Sequence, residues 1–311
     1  MTMRRIGDTL RQLPAITTLA KALKPRPLST PDCFAARVEK LAERYPERSA
    51  VVFEGRELNW AELNSQANRV AHALKEAGLS RGECAALMME NRIEFLTSLI
   101  ALNKLGVIAA LINTNLSGHA LAHCLVITDA RWCLFGEERL QVISEVRSEE
   151  GLESLQGWLY VADSGDQQCP GWASDLTGLS DNAFTSNPPD TAANTIADRA
   201  LYIFTSGTTG LPKAAVMTNR RFILSSLMSS LGGLRCDVND RIYLCLPLYH
   251  GTALFLGAGA AFNTGASLFL RRKFSASHFL QEVREHETTC FIYIGEICRY
   301  LLATPAKKTT T

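Results

Sequence analysis

Between Tyr202 and Met217 the chain reads YIFTSGTTGLPKAAVM, a run of hydroxyl side chains and glycines set between two apolar stretches and closed by a lysine. Gly207 and Gly210 tolerate positive φ and leave backbone N–H groups uncovered. Thr205, Ser206, Thr208 and Thr209 add hydroxyl donors, and such groups together form a nest for an anion. Lys213 supplies a point charge to the same anion or fixes the loop from below. A phosphate chain fits this chemistry. A Walker A loop would have four residues between its glycines, then Lys and Ser or Thr at the start of a helix. Here Gly210 comes too soon after Gly207, Ala214 follows Lys213, and KAAVMT is strand-like. The plain alternative is a flexible hairpin loop, which seldom combines so many hydroxyls with two glycines.

Further candidates lie at predicted element ends. Tyr249 and His250 follow the apolar run IYLCLPL, where α/β folds place ligand sites, and Gly251 permits close approach. The competing reading is a histidine satisfied at a strand end. His119 and His123 share a helix face beside Cys124, but the glutamate of HExxH and a third ligand are missing, so packing or surface roles are expected and no metal is assigned. Gly295 and Glu296 follow TTCFIYI and open a helix, placing Glu296 either toward a ligand or at the helix dipole.

The rest of the chain must position these groups. With 311 residues, 47% of them hydrophobic, it can bury a large core. A net charge of +1 with interspersed signs gives no footprint for nucleic acid. Nine cysteines without CxxC spacing, and no signal-peptide pattern, point to a reduced, cytoplasmic setting. Residues 1–28 alternate Arg4, Arg5, Arg11, Lys21, Lys24 and Arg26 with apolar positions at helical spacing. Such an arm either lies on the inner face of an anionic membrane, as a peripheral contact, or packs on its own domain. Phe95 to Ile112 is interrupted by Asn103, Lys104 and Gly106, so it reads as a buried helix followed by a strand rather than a membrane span.

Coarse patterning predicts an α/β fold. A helix capped at Ser29 or Thr30 with Pro31 at its first position runs to Tyr45, and SAVVFEGRELNW forms a hairpin turning at Glu54 and Gly55. A helix from Ala61 to Ala77 ends at Gly78. CAALMM, VIAALIN, RWCLF and WLYVA are short apolar runs separated by helical patterns, as in a mixed, mostly parallel sheet covered by helices. Residues 163–199 lack periodicity and read as a long surface loop with a soft subdomain division. ALYIF and KAAVMT flank the candidate phosphate loop as strands, followed by a helix from Asn219 to Leu231.

TSGTTGLPKAAVMTNRR resembles the signature loop of the adenylate-forming enzymes, the acyl-CoA synthetase and luciferase superfamily. AALINTNLSGHALAHCL, LPLYHGTALFLGAG and YIGEICRYLL resemble the long-chain and very-long-chain acyl-CoA synthetases of the fatty acid transport protein type, and the likeness runs from Pro31 to Ala306. The resemblance implies a large adenylation domain over 29–306 and a two-step reaction. A long-chain fatty acid carboxylate attacks the α-phosphorus of ATP, and coenzyme A then displaces AMP, with Mg²⁺ assisting. It implies that the loop, with Lys213, holds the β and γ phosphates and that the Tyr249–His250 pair lies beside the reacting carboxylate. An aromatic-Gly-x-Thr-Glu segment carrying the Mg²⁺-binding glutamate, a ribose-binding aspartate motif and a small C-terminal lysine domain do not appear in this sequence. The chain, with its tail over 307–311, is therefore expected to be the amino-terminal part of a longer enzyme, inactive or weakly active by itself. The alternative is a non-catalytic nucleotide- and lipid-binding or transport fragment.

Overall fold

The computed structural model describes residues 24–205 and 210–304, with Thr17, Ala20 and Lys21. Most of the basic arm, the loop residues 206–209 and the tail 307–311 lie outside the described residues.

Helix α1 (Phe34–Arg44) starts after Cys33, whose sulfur accepts the Ala36 N–H at 3.4 Å. The expected start at Pro31 does not hold. Pro31 forms an antiparallel bridge with Thr195, and the Asp32 N–H donates to the Asn194 carbonyl. That pairing requires extended backbone, so helical geometry begins only beyond it. Strands β1 (Ser49–Phe53) and β2 (Arg56–Asn59) make the expected hairpin, with Glu54 and Gly55 at φ 47° and 80°. Paired positive φ values match the twist of the flanking strands. Asn59 then caps α2 (Trp60–Glu76) in a reciprocal box with Glu62.

Two sheets follow. β3 (Cys84–Met88), β4 (Ile108–Leu111), β5 (Ala130–Gly136), β6 (Gly157–Val161), β7 (Ser174–Asp175), β8 (Arg199–Thr205) and β9 (Lys213–Thr218) form a seven-stranded sheet. Its order is β7-β6-β5-β3-β4-β8-β9, parallel except for the β8/β9 pair. β10 (Arg241–Leu244), β11 (Ser267–Leu270) and β12 (Cys290–Phe291) join the first hairpin in a five-stranded sheet ordered β12-β10-β11-β1-β2. Only β1/β2 is antiparallel there.

Burial on both faces explains the continuous apolar strand runs. Ala85 and Leu87 of β3 face a core shared by both sheets, α1, α2 and the buried helix α3 (Ile93–Leu105). Cys84, Ala86 and Met88 face a second core under α4 (Gly118–Ile127) and α5 (Leu140–Val146). Every residue of α3 except Glu94 is buried, as its all-round apolar pattern requires. Two of its buried polar residues find distant partners: Asn103 Oδ1 accepts the Ala35 N–H at 3.0 Å, and Lys104 pairs with Glu39. Among the described residues, no helix is long and apolar enough to cross a membrane.

Residues 163–199 are not the aperiodic loop expected. They carry β7, α6 (Leu176–Asp181) and a 3₁₀ turn over Pro189–Ala193, and strands of one sheet lie on either side of them in sequence. Buried amides fix the segment: Asn68 Nδ2 donates to the Thr185 carbonyl at 2.7 Å, and Asn194 Nδ2 to the Asn103 carbonyl at 2.8 Å. These partners lie far off in sequence, so no local periodicity marks them. Helix α7 (Asn219–Leu227) is shorter than expected and continues as a π-helical turn over Met228–Gly233. Among the described residues, a π-helical stretch over Thr252–Ala258 leads into α8 (Gly259–Thr264), and α9 (Phe279–Glu285) and α10 (Gly295–Ala303) follow.

Candidate functional site

The hydroxyl-rich loop joins two neighbouring antiparallel strands, with Thr205 at the end of β8 paired to Lys213 at the start of β9. Both are exposed. Gly210 sits at φ 91° with open space where a Cβ would be, so its backbone conformation rather than crowding calls for glycine. Ser206, Gly207, Thr208 and Thr209 lie outside the described residues. No hydrogen bond or ion pair holds the Lys213 ammonium among the described residues, leaving its charge available to an anion at the loop.

Of the histidine pair on α4, His119 is exposed while His123 turns inward, its Nε2 3.1 Å from the carbonyl of Pro212. A carbonyl only accepts, so Nε2 carries the proton in this contact. His123 therefore tethers the exit limb of the loop, a role that i,i+4 spacing does not reveal. Replacing His123 by alanine is expected to speed amide exchange over 210–214 about fivefold, from the loss of ~1 kcal/mol of hydrogen bonding. Exchange mass spectrometry on parent and variant checks this, and identical exchange would mean that the tether contributes nothing.

After β10 the chain runs buried through Leu248, and His250 N–H closes a turn on the Pro247 carbonyl at 3.0 Å. The Tyr249 ring is buried and packs against the His250 ring with centroids 4.6 Å apart. His250 is exposed, and partial desolvation pulls its imidazole below its ordinary value. Burial raises the Tyr249 phenol despite Thr114 and Arg139 nearby, which favour ionisation. A Cβ at Gly251 would lie 3.2 Å from the Phe255 ring and 3.8 Å from Ile203 Cδ1. Ile203 is in β8, just ahead of Thr205, so the His250 turn and the mouth of the loop are neighbours. Both lie at carboxyl ends of parallel strands.

Glu296 stands apart. It opens α10 exposed, and its carboxylate accepts from Arg299 Nε at 3.1 Å. That hydrogen bond, with one from Tyr300, holds it below the usual carboxylate range. Among the described residues, its side-chain contacts are with its own helix.

Sequence reasoning missed the tripeptide Glu90-Asn91-Arg92, which follows β3. Asn91 Oδ1 accepts the Leu248 N–H at 2.8 Å, and its Nδ2 donates to the carbonyls of Leu246 at 2.9 Å and Arg271 at 3.0 Å. Glu90 pairs with Arg139 and lies 3.6 Å from Lys273 and 3.8 Å from Arg272, linking segments that follow both sheets. Arg92 is fully buried. The available signal was three polar residues enclosed between CAALMM and a mostly apolar helix. A groove of about 830 Å³ lies elsewhere, bordered by Asn59, Glu62, Arg69, Glu94 and Asp181, and includes none of the residues singled out by sequence. Among the described residues, no three His, Cys, Asp or Glu side chains gather as metal ligands.

Comparison with known proteins bears on this arrangement. The family model described as AMP-binding enzyme matches residues 38–311. The medium/long-chain-fatty-acid–CoA ligase FadD6 of Mycobacterium tuberculosis is 36% identical over 268 residues, covering 86% of this chain and 43% of that protein. Human long-chain fatty acid transport protein 1 is 36% identical over 277 residues, covering 87% and 42%. The chain thus spans less than half the length of these curated relatives. Among solved structures, a Mycobacterium tuberculosis fatty acyl CoA synthetase superposes with a TM-score of 0.77 at 22% identity, covering 88% of this chain and 51% of that one. An anthranilate CoA ligase in complex with anthranoyl-AMP gives 0.77 at 24% identity, covering 86% and 50%. Those structures share its fold of mostly parallel sheets and covering helices, and the sequence match over most of its length makes this chain a member of the AMP-binding enzyme family.

Proposed function

We propose that the chain forms the triphosphate- and carboxylate-binding part of an ATP-dependent long-chain fatty acid–CoA ligase. The observation that carries this reading is the adjacency of the His250 turn to the end of β8, from which the anion-nest loop departs. In this reading Thr205, Ser206, Gly207, Thr208, Thr209, Gly210 and Lys213 hold the phosphates of ATP. Tyr249, His250 and Gly251 flank the fatty carboxylate. A carboxylate oxygen bonds to the α-phosphorus as the bond to pyrophosphate breaks, giving acyl-adenylate. The sulfur of coenzyme A then bonds to the acyl carbon, AMP departs with the electron pair, and the thiol proton passes to solvent. Two anions meet in the first step, so charge neutralisation and positioning are what the loop contributes. Mg²⁺ would assist by neutralising the phosphate charge, held by phosphate oxygens and one or two carboxylates. Glu296 completes the substrate side in this reading, its exposed carboxylate paired with Arg299.

Replacing Lys213 by alanine is expected to weaken ATP binding about 10- to 100-fold, from one charge-assisted contact, while the melting curve stays unchanged. Calorimetric titration of the folded chain with ATP measures this, and equal affinity in parent and variant overturns the loop assignment. A second reading is nucleotide and lipid binding without turnover. Incubating the chain with palmitate, ATP, Mg²⁺ and coenzyme A separates the two: acyl-AMP or acyl-CoA found by mass spectrometry supports the ligase, and their absence with ATP still bound supports the second.

A further inference from the structure

We propose that Asn91 is the positioning residue for the Tyr249–His250 turn, acting through the backbone of residues 246–248. The proposal rests on the reading of His250 as a carboxylate-side residue, but its structural half can be measured without any turnover. Asn91 is 4% exposed, and its amide is used fully in one direction: the oxygen accepts from Leu248, and the nitrogen donates to Leu246 and Arg271. An amide buried in this way accepts and donates at fixed angles, so it sets register as well as distance. Two of its three partners belong to the short run between β10 and Tyr249, and the third belongs to the segment leaving β11. One side chain from the segment that follows β3 therefore fixes how two strand ends of the five-stranded sheet present their loops. His250 itself is held by backbone alone, through its N–H to Pro247 and its carbonyl from the Leu254 N–H, each at 3.0 Å. Nothing else in the described residues hydrogen-bonds the backbone of Leu246 or Leu248 through a side chain, so the direction in which the imidazole leaves the turn depends on Asn91.

The neighbouring Glu90 strengthens the case. Its carboxylate lies among Arg139, Arg272 and Lys273, and Arg139 Nη1 also donates to the Thr114 carbonyl at 3.1 Å, beside the Tyr249 phenol. The segment carrying Asn91 is thus fixed from both sheets before Asn91 reaches the turn. A displaced imidazole would stay in a folded protein but meet the substrate at the wrong angle, and small misplacements of this kind cost rate rather than binding of the distant phosphates.

The test compares Asn91→Leu, which removes all three bonds, with Asn91→Asp, which keeps the acceptor for Leu248 but loses both donors. In the parent and both variants, the His250 imidazole is titrated by NMR at its Cε1 proton. The titratable ring packed against His250 is that of Tyr249, which is expected to stay neutral over the range used. Expected results are a His250 midpoint that rises toward the ordinary imidazole value in Asn91→Leu, and loss of Leu248 amide protection in Asn91→Leu but not in Asn91→Asp. In a turnover assay, kcat for adenylate formation should fall about 10- to 100-fold with the KM for ATP unchanged. Identical His250 titration in parent and both variants overturns the proposal. If Asn91→Leu does not fold, Asn91→Asp and Asn91→Ser carry the same measurements. Full adenylation by His250→Ala would instead overturn the role given to His250, and would leave the titration result standing.

Discussion

Replacing Arg92 by methionine should cost about 3–5 kcal/mol of folding stability, the range for removing one partner of a buried charge cluster. Arg92 has no exposed side-chain surface. Its Nη1 donates to the Ala162 carbonyl at 2.5 Å and its Nη2 to the Val161 carbonyl at 2.9 Å. Carboxylates of Glu94, Glu138 and Asp163 stand 3.5, 3.6 and 3.7 Å away. Methionine fills the stem but leaves two strand-end carbonyls without a donor and the carboxylates without their shared cation. Arg92 is also the N-cap of α3, where a cation opposes the helix dipole, so only these partners make the position tolerable. A loss of this size is a large share of the ~5–15 kcal/mol that holds a typical domain folded. Urea unfolding at neutral pH measures it; a loss under about 1 kcal/mol would mean that the carboxylates turn to solvent and the cluster is dispensable.

The second large effect is a pH dependence centred on Glu137. Burial by itself would raise this carboxyl, but the N–H groups of Asp163, Gly165 and Gln167 and the Ser164 hydroxyl all donate to it, and they hold it down at about 2. The folded value lies below the unfolded value of 4.5, so the contribution is fully present above that pH and is lost as pH falls from 4.5 toward 2. About 2 kcal/mol is expected, less than the full shift implies, because only a thin loop separates the carboxylate from solvent. Replacing Glu137 by glutamine should remove this acid-sensitive component. The stability difference between parent and variant, followed by urea unfolding from pH 6 to pH 3, should shrink as the pH drops. A constant difference would show that Glu137 does not titrate in the folded protein as its hydrogen bonds require. The loop it clamps carries Asp163, which holds Arg272 at 2.7 Å, so the same acid step loosens a link between the two sheets.

What could be read along the chain was whatever is decided by neighbours. The Glu54–Gly55 turn, the Asn59–Glu62 cap, the end of α2 before Gly78 and the strands flanking the hydroxyl-rich loop all follow from turn chemistry and short periods. The mixed, mostly parallel class follows from apolar runs long enough to be buried on both faces. The loop's capacity for an anion is likewise a matter of residue type and spacing. Tertiary structure alone decided the start of α1, because Pro31 pairs with Thr195, and it decided the order in residues 163–199, because Asn68 and Asn194 reach across to or from distant elements. It settled His123, expected to pack or to lie on the helix surface, as a tether for Pro212, and set Asn91 under a turn 157 residues away. A buried polar side chain must find its partner wherever the folded chain supplies one, and hydrogen bonds of that range leave no periodic trace in the sequence that makes them.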